Sequence, residues 1–206
     1  LITSYSTLKS AVADYLNRQD LTTVIPTFIS LAEKEIQRTL RVRDMLCRST
    51  ATISDQYAAL PVDFLEMKKF RISVNGLWRP LTILGDKQVD DVRLNYGTTG
   101  APESYALNAD ALEFVPAPDG EYDTEMTYYE KITPLSDDDT TNWLLEKAPD
   151  LYLFGALLQS APYLKEDERI GLWSGLYKSI FSDIQAESDR SDYAGSTPRV
   201  RSKAIG

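Results

Sequence analysis

The densest group of hard oxygen ligands in the chain is the run Asp137-Asp138-Asp139. Three adjacent carboxylates suit a hard cation such as calcium, but the run lacks the alternating spacing and the glycine of an EF-hand loop. A solvated acidic turn ahead of a helix N-terminus accounts for it better. The basic counterpart is Arg38, Arg41, Arg43 and Arg48, set where a helical pattern gives way to a strand pattern. Such a cluster stabilises a helix C-terminus and forms ion pairs. Its functional alternative is contact with a neighbouring subunit or with passing phosphate. A third group is aromatic: Tyr128, Tyr129, Trp143, Tyr152, Phe154, Tyr163, Trp173 and Tyr177. Base stacking needs interleaved Lys and Arg, which are missing around these residues, so core packing and subunit contacts are the expected uses.

The remaining chemistry is defined by what is missing. The chain has no histidine. That removes the usual general base near neutral pH, the usual zinc ligand and every Ser-His-Asp arrangement. No P-loop or dinucleotide fingerprint occurs, since Gly97 to Gly100 lacks the lysine and the helix-opening context of a phosphate cradle. No pair of carboxylates is nominated for glycosidase-type work, whose spacing is a three-dimensional quantity. Cys47, the single cysteine, cannot form an intrachain disulfide and reads as a small buried apolar residue. No catalytic residue, cofactor or metal is therefore expected.

The 206 residues, 43% hydrophobic and 26% charged, read as an ordinary globular chain able to bury a sizeable core. Leu1 to Ser10 does not have the basic start and apolar run of a secretory signal, and no apolar stretch approaches membrane-spanning length. The formal charge of −9 disfavours sequence-reading of DNA, because an acidic protein is repelled by phosphate. It is unevenly placed. From Arg190 onward four bases face one acid, a net of +3, which leaves −12 on the rest of the chain.

These groups must be positioned by regular elements. Ser4 caps an expected helix over Tyr5 to Arg18, and a second starts near Thr23, tolerates Pro26 in its first turn and presents Ile25, Phe28, Ile29, Ala32, Ile36 and Leu40 as one stripe. The two are expected to form a helical hairpin. Alternation from Met45 to Ile53 then predicts a strand. Leu65 to Val74 and Leu77 to Leu81 flank Asn75-Gly76, the signature of a type I′ hairpin. A short helix is expected from Gly85-Asp86 to about Leu94. Further strands are expected at Ser104 to Leu107, Ala111 to Val115 and Tyr122 to Tyr129. About six antiparallel strands predict a small sandwich or curled sheet. Helical periodicity returns at Asn142 and Pro149, and a long last helix is expected from about Asp167 to Ser188, with Ile170, Trp173, Tyr177, Ile180 and Ile184 as its stripe.

The expected fold class is α+β: a helical bundle built from residues 1–43 and 141–189, an inserted antiparallel β-rich domain over 44–140, and an extended basic C-terminal tail over 190–206. Alone the tail is expected to be disordered, and an acidic partner surface is expected to order it around Val200 and Ile205.

Several phrases carry a resemblance. Leu60-Pro61-Val62-Asp63-Phe64-Leu65-Glu66, Thr141-Asn142-Trp143-Leu144-Leu145, Ala148 to Leu157, and Asp167-Glu168-Arg169 resemble, in joint order from Ser4 to about Ser188, the head-to-tail adaptor (connector) proteins of tailed bacteriophages, the class that includes tail tubular protein A. The resemblance implies a virion structural protein of the neck, made in the bacterial host cytoplasm. It implies a ring, usually of twelve copies, joining the portal protein to the tail tube or nozzle protein, with genomic DNA passing through without sequence-specific binding and with no membrane partner. In related adaptors the C-terminal segment reaches into the portal; the matching positions here are Ser191 to Gly206, with Pro198, Arg199, Val200, Arg201, Lys203 and Ile205 expected to bind the partner. Arg41, Arg43, Asn142 and Trp143 are the positions expected at contacts between subunits. A ring repeats one heterologous interface and needs no catalytic group. The competing readings are another neck or tail-completion protein and, from the enzyme class, a virion-associated peptidoglycan hydrolase using carboxylates.

Overall fold

The structure, a computed structural model, describes residues 1–96, 98–164 and 168–193. Among these the chain forms six α-helices: α1 (Tyr5–Leu16), α2 (Ile25–Thr39), α3 (Asp86–Tyr96), α4 (Trp143–Lys147), α5 (Pro149–Leu164) and α6 (Ile170–Tyr193). Eight strands complete an α+β fold: β1 (Leu46–Ile53), β2 (Tyr57–Ala59), β3 (Phe64–Val74), β4 (Leu77–Pro80), β5 (Thr82–Ile83), β6 (Ser104–Asn108), β7 (Ala111–Val115) and β8 (Tyr122–Glu130). By packing, the chain divides into a helical unit, Leu1–Asp44 with Ile132–Gly206, and a β-rich unit, Met45–Lys131.

In the helical unit, α1 opens on a capping box in which Thr7 N donates to the Ser4 hydroxyl at 3.3 Å and Ser4 N donates to the Thr7 hydroxyl at 2.9 Å. It ends at Leu16, two residues before the expected Arg18, because Asn17 takes a left-handed φ of 52° and closes the helix. α2 begins at Ile25, after the expected Thr23, since the backbone first turns at Leu21, whose carbonyl accepts from Val24 N and Ile25 N. Its buried stripe of Ile25, Phe28, Ile29, Ala32 and Ile36 is the expected one.

The expected hairpin of α1 and α2 is only part of the arrangement. Both pack mainly on α5, which also carries α6. α5 is consequently buried on most of its circumference, through Leu151, Tyr152, Leu153, Gly155, Ala156, Leu157 and Ser160, as a helix at the centre of a bundle must be. Gly155 sets the spacing: a Cβ there would lie 3.2 Å from Ala32 Cβ and 3.3 Å from the Tyr177 ring, so α2 and α6 approach α5 as closely as a bare backbone permits. α6 continues through Tyr193, beyond the expected end at Ser188 and into the segment assigned to the tail. Its stripe buries Trp173, Tyr177 and Ile184.

In the β-rich unit, two four-stranded sheets run in the orders β1-β8-β3-β4 and β2-β7-β6-β5. Asn75 and Gly76 take positive φ of 53° and 77° between Val74 and its partner Leu77, which is the expected type I′ geometry. Ile53, Phe70, Ile72, Met126 and Tyr128 from the first sheet meet Tyr105, Leu112 and Phe114 from the second in one core, so the sheets form a sandwich. Residues of opposite parity on the second sheet, Ala106 and Val115, join Val89 of α3 in a smaller cluster on the other side. That layer explains why β7 is buried from Leu112 to Val115 instead of alternating. Two strands were not expected, β2 and β5, and β5 pairs with β6 in parallel, which corrects the all-antiparallel expectation. With three and two residues they are too short to show a period of two.

Candidate assembly surfaces

The acidic turn is held within the helical unit. Lys9 Nζ lies 2.7 Å from Asp137 Oδ1, Tyr5 N donates to Thr140 O at 2.7 Å, and the Ser136 hydroxyl accepts from Asp138 N at 3.2 Å and Asp139 N at 2.8 Å. These bonds fold the carboxylates into a turn that leads towards α4. No group of three or more His, Cys, Asp or Glu among the described residues is placed to hold a metal ion.

Asn142 and Trp143 follow directly. Asn142 is buried and caps α4: Leu145 N donates to its Oδ1 at 2.8 Å, while its Nδ2 donates to Thr133 O at 2.7 Å and to the Tyr152 hydroxyl at 2.8 Å. The Asn142 amide thereby joins the incoming segment, α4 and α5. Glu33 completes the region by accepting from Leu135 N at 2.8 Å. Burial pushes the Glu33 carboxyl above the ordinary carboxylate value, with the Leu135 bond and nearby Lys34 acting against the rise. Burial likewise raises the Tyr152 phenol. The cleft beside them, lined by residues such as Glu33, Gln37, Pro134 and Tyr152, encloses about 70 Å³, far below the few hundred Å³ of a small-molecule site. Trp143 is half-buried at the first position of α4.

Arg41 and Arg43 lie after α2. One Arg41 guanidinium nitrogen donates to Gln37 O at 2.9 Å and Leu40 O at 2.7 Å, closing the helix C-terminus. Arg43 N donates to the Ser188 hydroxyl at 2.8 Å and its guanidinium to the Ser191 hydroxyl at 2.5 Å, which fixes the end of α2 to the end of α6. Lys147 bridges Asp44 at 2.7 Å and Glu187 at 3.2 Å; the Asp44 bond is the main reason its ammonium stays protonated above the ordinary range. The structure therefore gathers Arg41 and Arg43 at one end of the bundle and places Asn142 in its interior. The tail positions Pro198, Arg199, Val200, Arg201, Lys203 and Ile205 lie outside the described residues.

In the β-rich unit, the charges pair across strands. Glu125, buried on β8, accepts from Arg71 at 2.7 Å and from Arg48, and the Arg71 bond is the first cause holding its carboxyl below the ordinary value. Arg71 also stacks on Trp78 at 4.8 Å. On the second sheet, buried Glu113 accepts from Arg93 of α3, from Asn108 Nδ2 at 2.7 Å, and from Gln56 Nε2 and the Tyr57 hydroxyl, each at 3.2 Å. These networks tie strands to one another and to α3. They missed notice in the sequence because Glu113 and Glu125 sit in plain strand patterns, and only pairing brings their partners near. Cys47 is half-buried at the margin of the sandwich core.

Inward-turned polar groups thus fix the bundle, and ion pairs cross-link the sandwich. The SU10 adaptor protein family model matches residues 3–202, and the chain belongs to that family. It is a phage adaptor, a structural protein of the virion that acts through other virion proteins. No curated protein matches the sequence significantly. No helix among the described residues is long and apolar enough to cross a membrane.

Proposed function

We propose that twelve copies of this adaptor close into a ring between the portal protein and the tail tube or nozzle, with DNA leaving through its centre. The observation that carries the reading is the family match over residues 3–202, which takes in the helices, the sandwich and Arg199 to Arg201 of the tail. Charge supports the division of labour. A body with a formal charge of −12 lines a channel that like-charged phosphate slides past without adhering. The +3 tail docks on the portal through Arg199, Arg201 and Lys203, with Pro198, Val200 and Ile205 as its apolar contacts. Arg41, Arg43 and Trp143, at or near the surface of the bundle, contribute to contacts between subunits, with Asn142 holding the α4 backbone in place behind Trp143.

Electron microscopy of the purified protein and of the virion neck tests this. Rings of twelve in the neck, with a lumen dominated by Asp and Glu, are expected. Monomers in isolation together with no ring in the particle overturn the reading, and a lumen lined mainly by Lys and Arg overturns the channel role. Replacing Arg199, Arg201 and Lys203 by Glu is expected to abolish portal capture while leaving the ring intact.

A further inference from the structure

The outer face of the first sheet holds a hollow with an aromatic wall. Directly paired residues of an antiparallel sheet share a face, and the registers put Thr50 opposite Glu125, Thr52 opposite Asp123, Arg71 opposite Glu125 and Ser73 opposite Trp78. Their neighbours along the strands, Ile53, Phe70, Ile72 and Met126, fill the sandwich core, so this set faces away from it. α3 packs on the second sheet, and among the described residues of the β-rich unit no helix lies over the first. The hollow has a volume of about 440 Å³ and is lined by Thr50, Ala51, Thr52, Trp78, Asp123 and Thr124. Small-ligand sites span about 300–1,000 Å³.

One wall is a fixed indole. Trp78 is 45% exposed and stacks on the Arg71 guanidinium, which lies 4.8 Å from the ring centre. Arg71 in turn bonds the buried Glu125 carboxylate at 2.7 Å, so the cation cannot swing away without weakening the hold on a buried charge. The other walls are polar. Thr52 donates to Asp123 Oδ1 at 2.9 Å, which steadies that carboxylate. Asp123 and Thr50 are both exposed, and among the described residues Asp123 Oδ2 and the Thr50 hydroxyl have no protein partner.

This lining selects its ligand by chemistry. The indole gives dispersion contact to a flat carbon-bearing surface, while a carboxylate accepts from hydroxyl groups and threonine hydroxyls both accept and donate. An anionic ligand is repelled by Asp123, and the guanidinium beneath the indole is already neutralised by Glu125. A hydrophobic segment finds Ala51 as the one apolar residue beyond Trp78, and a metal ion finds a single carboxylate. We infer that this face binds a neutral glycan, with one pyranose ring laid on the Trp78 indole and its hydroxyls bonded to Asp123, Thr50 and Thr52. A pyranose carries C–H groups on a flat face and hydroxyls around its rim, which are the two surfaces the hollow matches. Every contact comes from one subunit, so the site does not depend on the ring or on its copy number.

The test titrates the full chain with the trimers of glucose, mannose, galactose and N-acetylglucosamine, followed by tryptophan fluorescence and by calorimetry. At least one trimer is expected to change the emission, with half-saturation on the order of 1 mM, the strength of one stacked ring and a few hydrogen bonds. Trp78→Ala is expected to abolish the heat of binding. Asp123→Asn and Thr50→Val, at exposed positions that leave the indole in place, are expected to weaken binding by about tenfold and about threefold. Circular dichroism and thermal melting confirm that each variant is folded. Absence of any response to all four trimers overturns the inference, as does a heat of binding that survives Trp78→Ala. A stronger response to an oligothymidylate or to a trimer of glucuronic acid also overturns it, by assigning the face to an anionic ligand.

Discussion

The helical and β-rich units solve the same problem of burial in opposite ways. In the first, four helices are organised by one, α5, whose residues from Leu151 to Ser160 meet α1, α2, α4 and α6. In the second no element is central, and the core is shared between two sheets with α3 laid over one of them. A bundle around a central helix closes on itself and turns Asn142, Glu33 and Tyr152 inwards. A sandwich of open sheets does not close on itself and has β1, β2, β4 and β5 as its edge strands. The difference teaches that one central helix and a core shared between two sheets are alternative ways to bury apolar faces that no single element covers. The units also differ in chain continuity. The sandwich is one segment, Met45–Lys131, whereas the bundle waits for residues 132 onward to return.

The comparison is broken most severely at the sandwich core. Phe114→Ala empties a fully buried position against the Phe70 ring, 5.9 Å away, and is expected to cost about 3–5 kcal/mol. Denaturant unfolding followed by circular dichroism is expected to turn biphasic, with the β signal lost first. A single shared transition means that the two units are not separate folding bodies. The matching experiment in the bundle is Gly155→Val, which forces side-chain atoms between Ala32 and Tyr177 and is expected to cost about 1–3 kcal/mol. A variant as stable as the parent shows that α5 is not the tight centre of the bundle.

Asn142→Ala removes the α4 cap and leaves Thr133 O and the Tyr152 hydroxyl without their partner, at an expected cost of about 1–2 kcal/mol, measured as a lowered melting temperature. Unchanged melting with impaired assembly gives this residue a role at the subunit contact beyond the cap.

Acid separates the units by sign. Glu125 is held below the ordinary carboxylate value, so its contribution to the sandwich is complete above that value and is lost as the pH falls through the folded one. Glu33 is raised, so its ionised form opposes folding above the folded value, and that penalty disappears as the pH drops below the ordinary one. Glu33→Gln is accordingly expected to raise the melting temperature slightly at pH 7 and to have no effect near pH 4, while Glu125→Gln lowers it at pH 7 and flattens its fall below pH 5. Parallel pH profiles for the two variants remove the distinction.

Local order was legible in the chain itself. Ser4 as a cap, the stripe from Ile25 to Ile36, the turn at Asn75-Gly76 and the strand from Ala111 to Val115 are each written in consecutive residues, because capping, periodicity and turn chemistry act within a few positions. The ends of elements were less legible. Arg18 and Thr23 are compatible with helix, and only the backbone turn at Asn17 and the hydrogen bonds to Leu21 exclude them. The surfaces were legible only in part. Arg41 was visible as a base after a helix, but its hold on Gln37 and Leu40 depends on the side chain's path.

By itself, then, the sequence determined the residue types, the α+β class and the lack of histidine chemistry, all of which depend on composition or on neighbours along the chain. Tertiary structure alone decided that α5 is the centre, that Glu113 and Glu125 acquire arginine partners, and that β1, β2, β4 and β5 become the edges. Those outcomes depend on which distant segments pair, and pairing is settled by the shared burial of whole faces, which no short stretch of residues encodes.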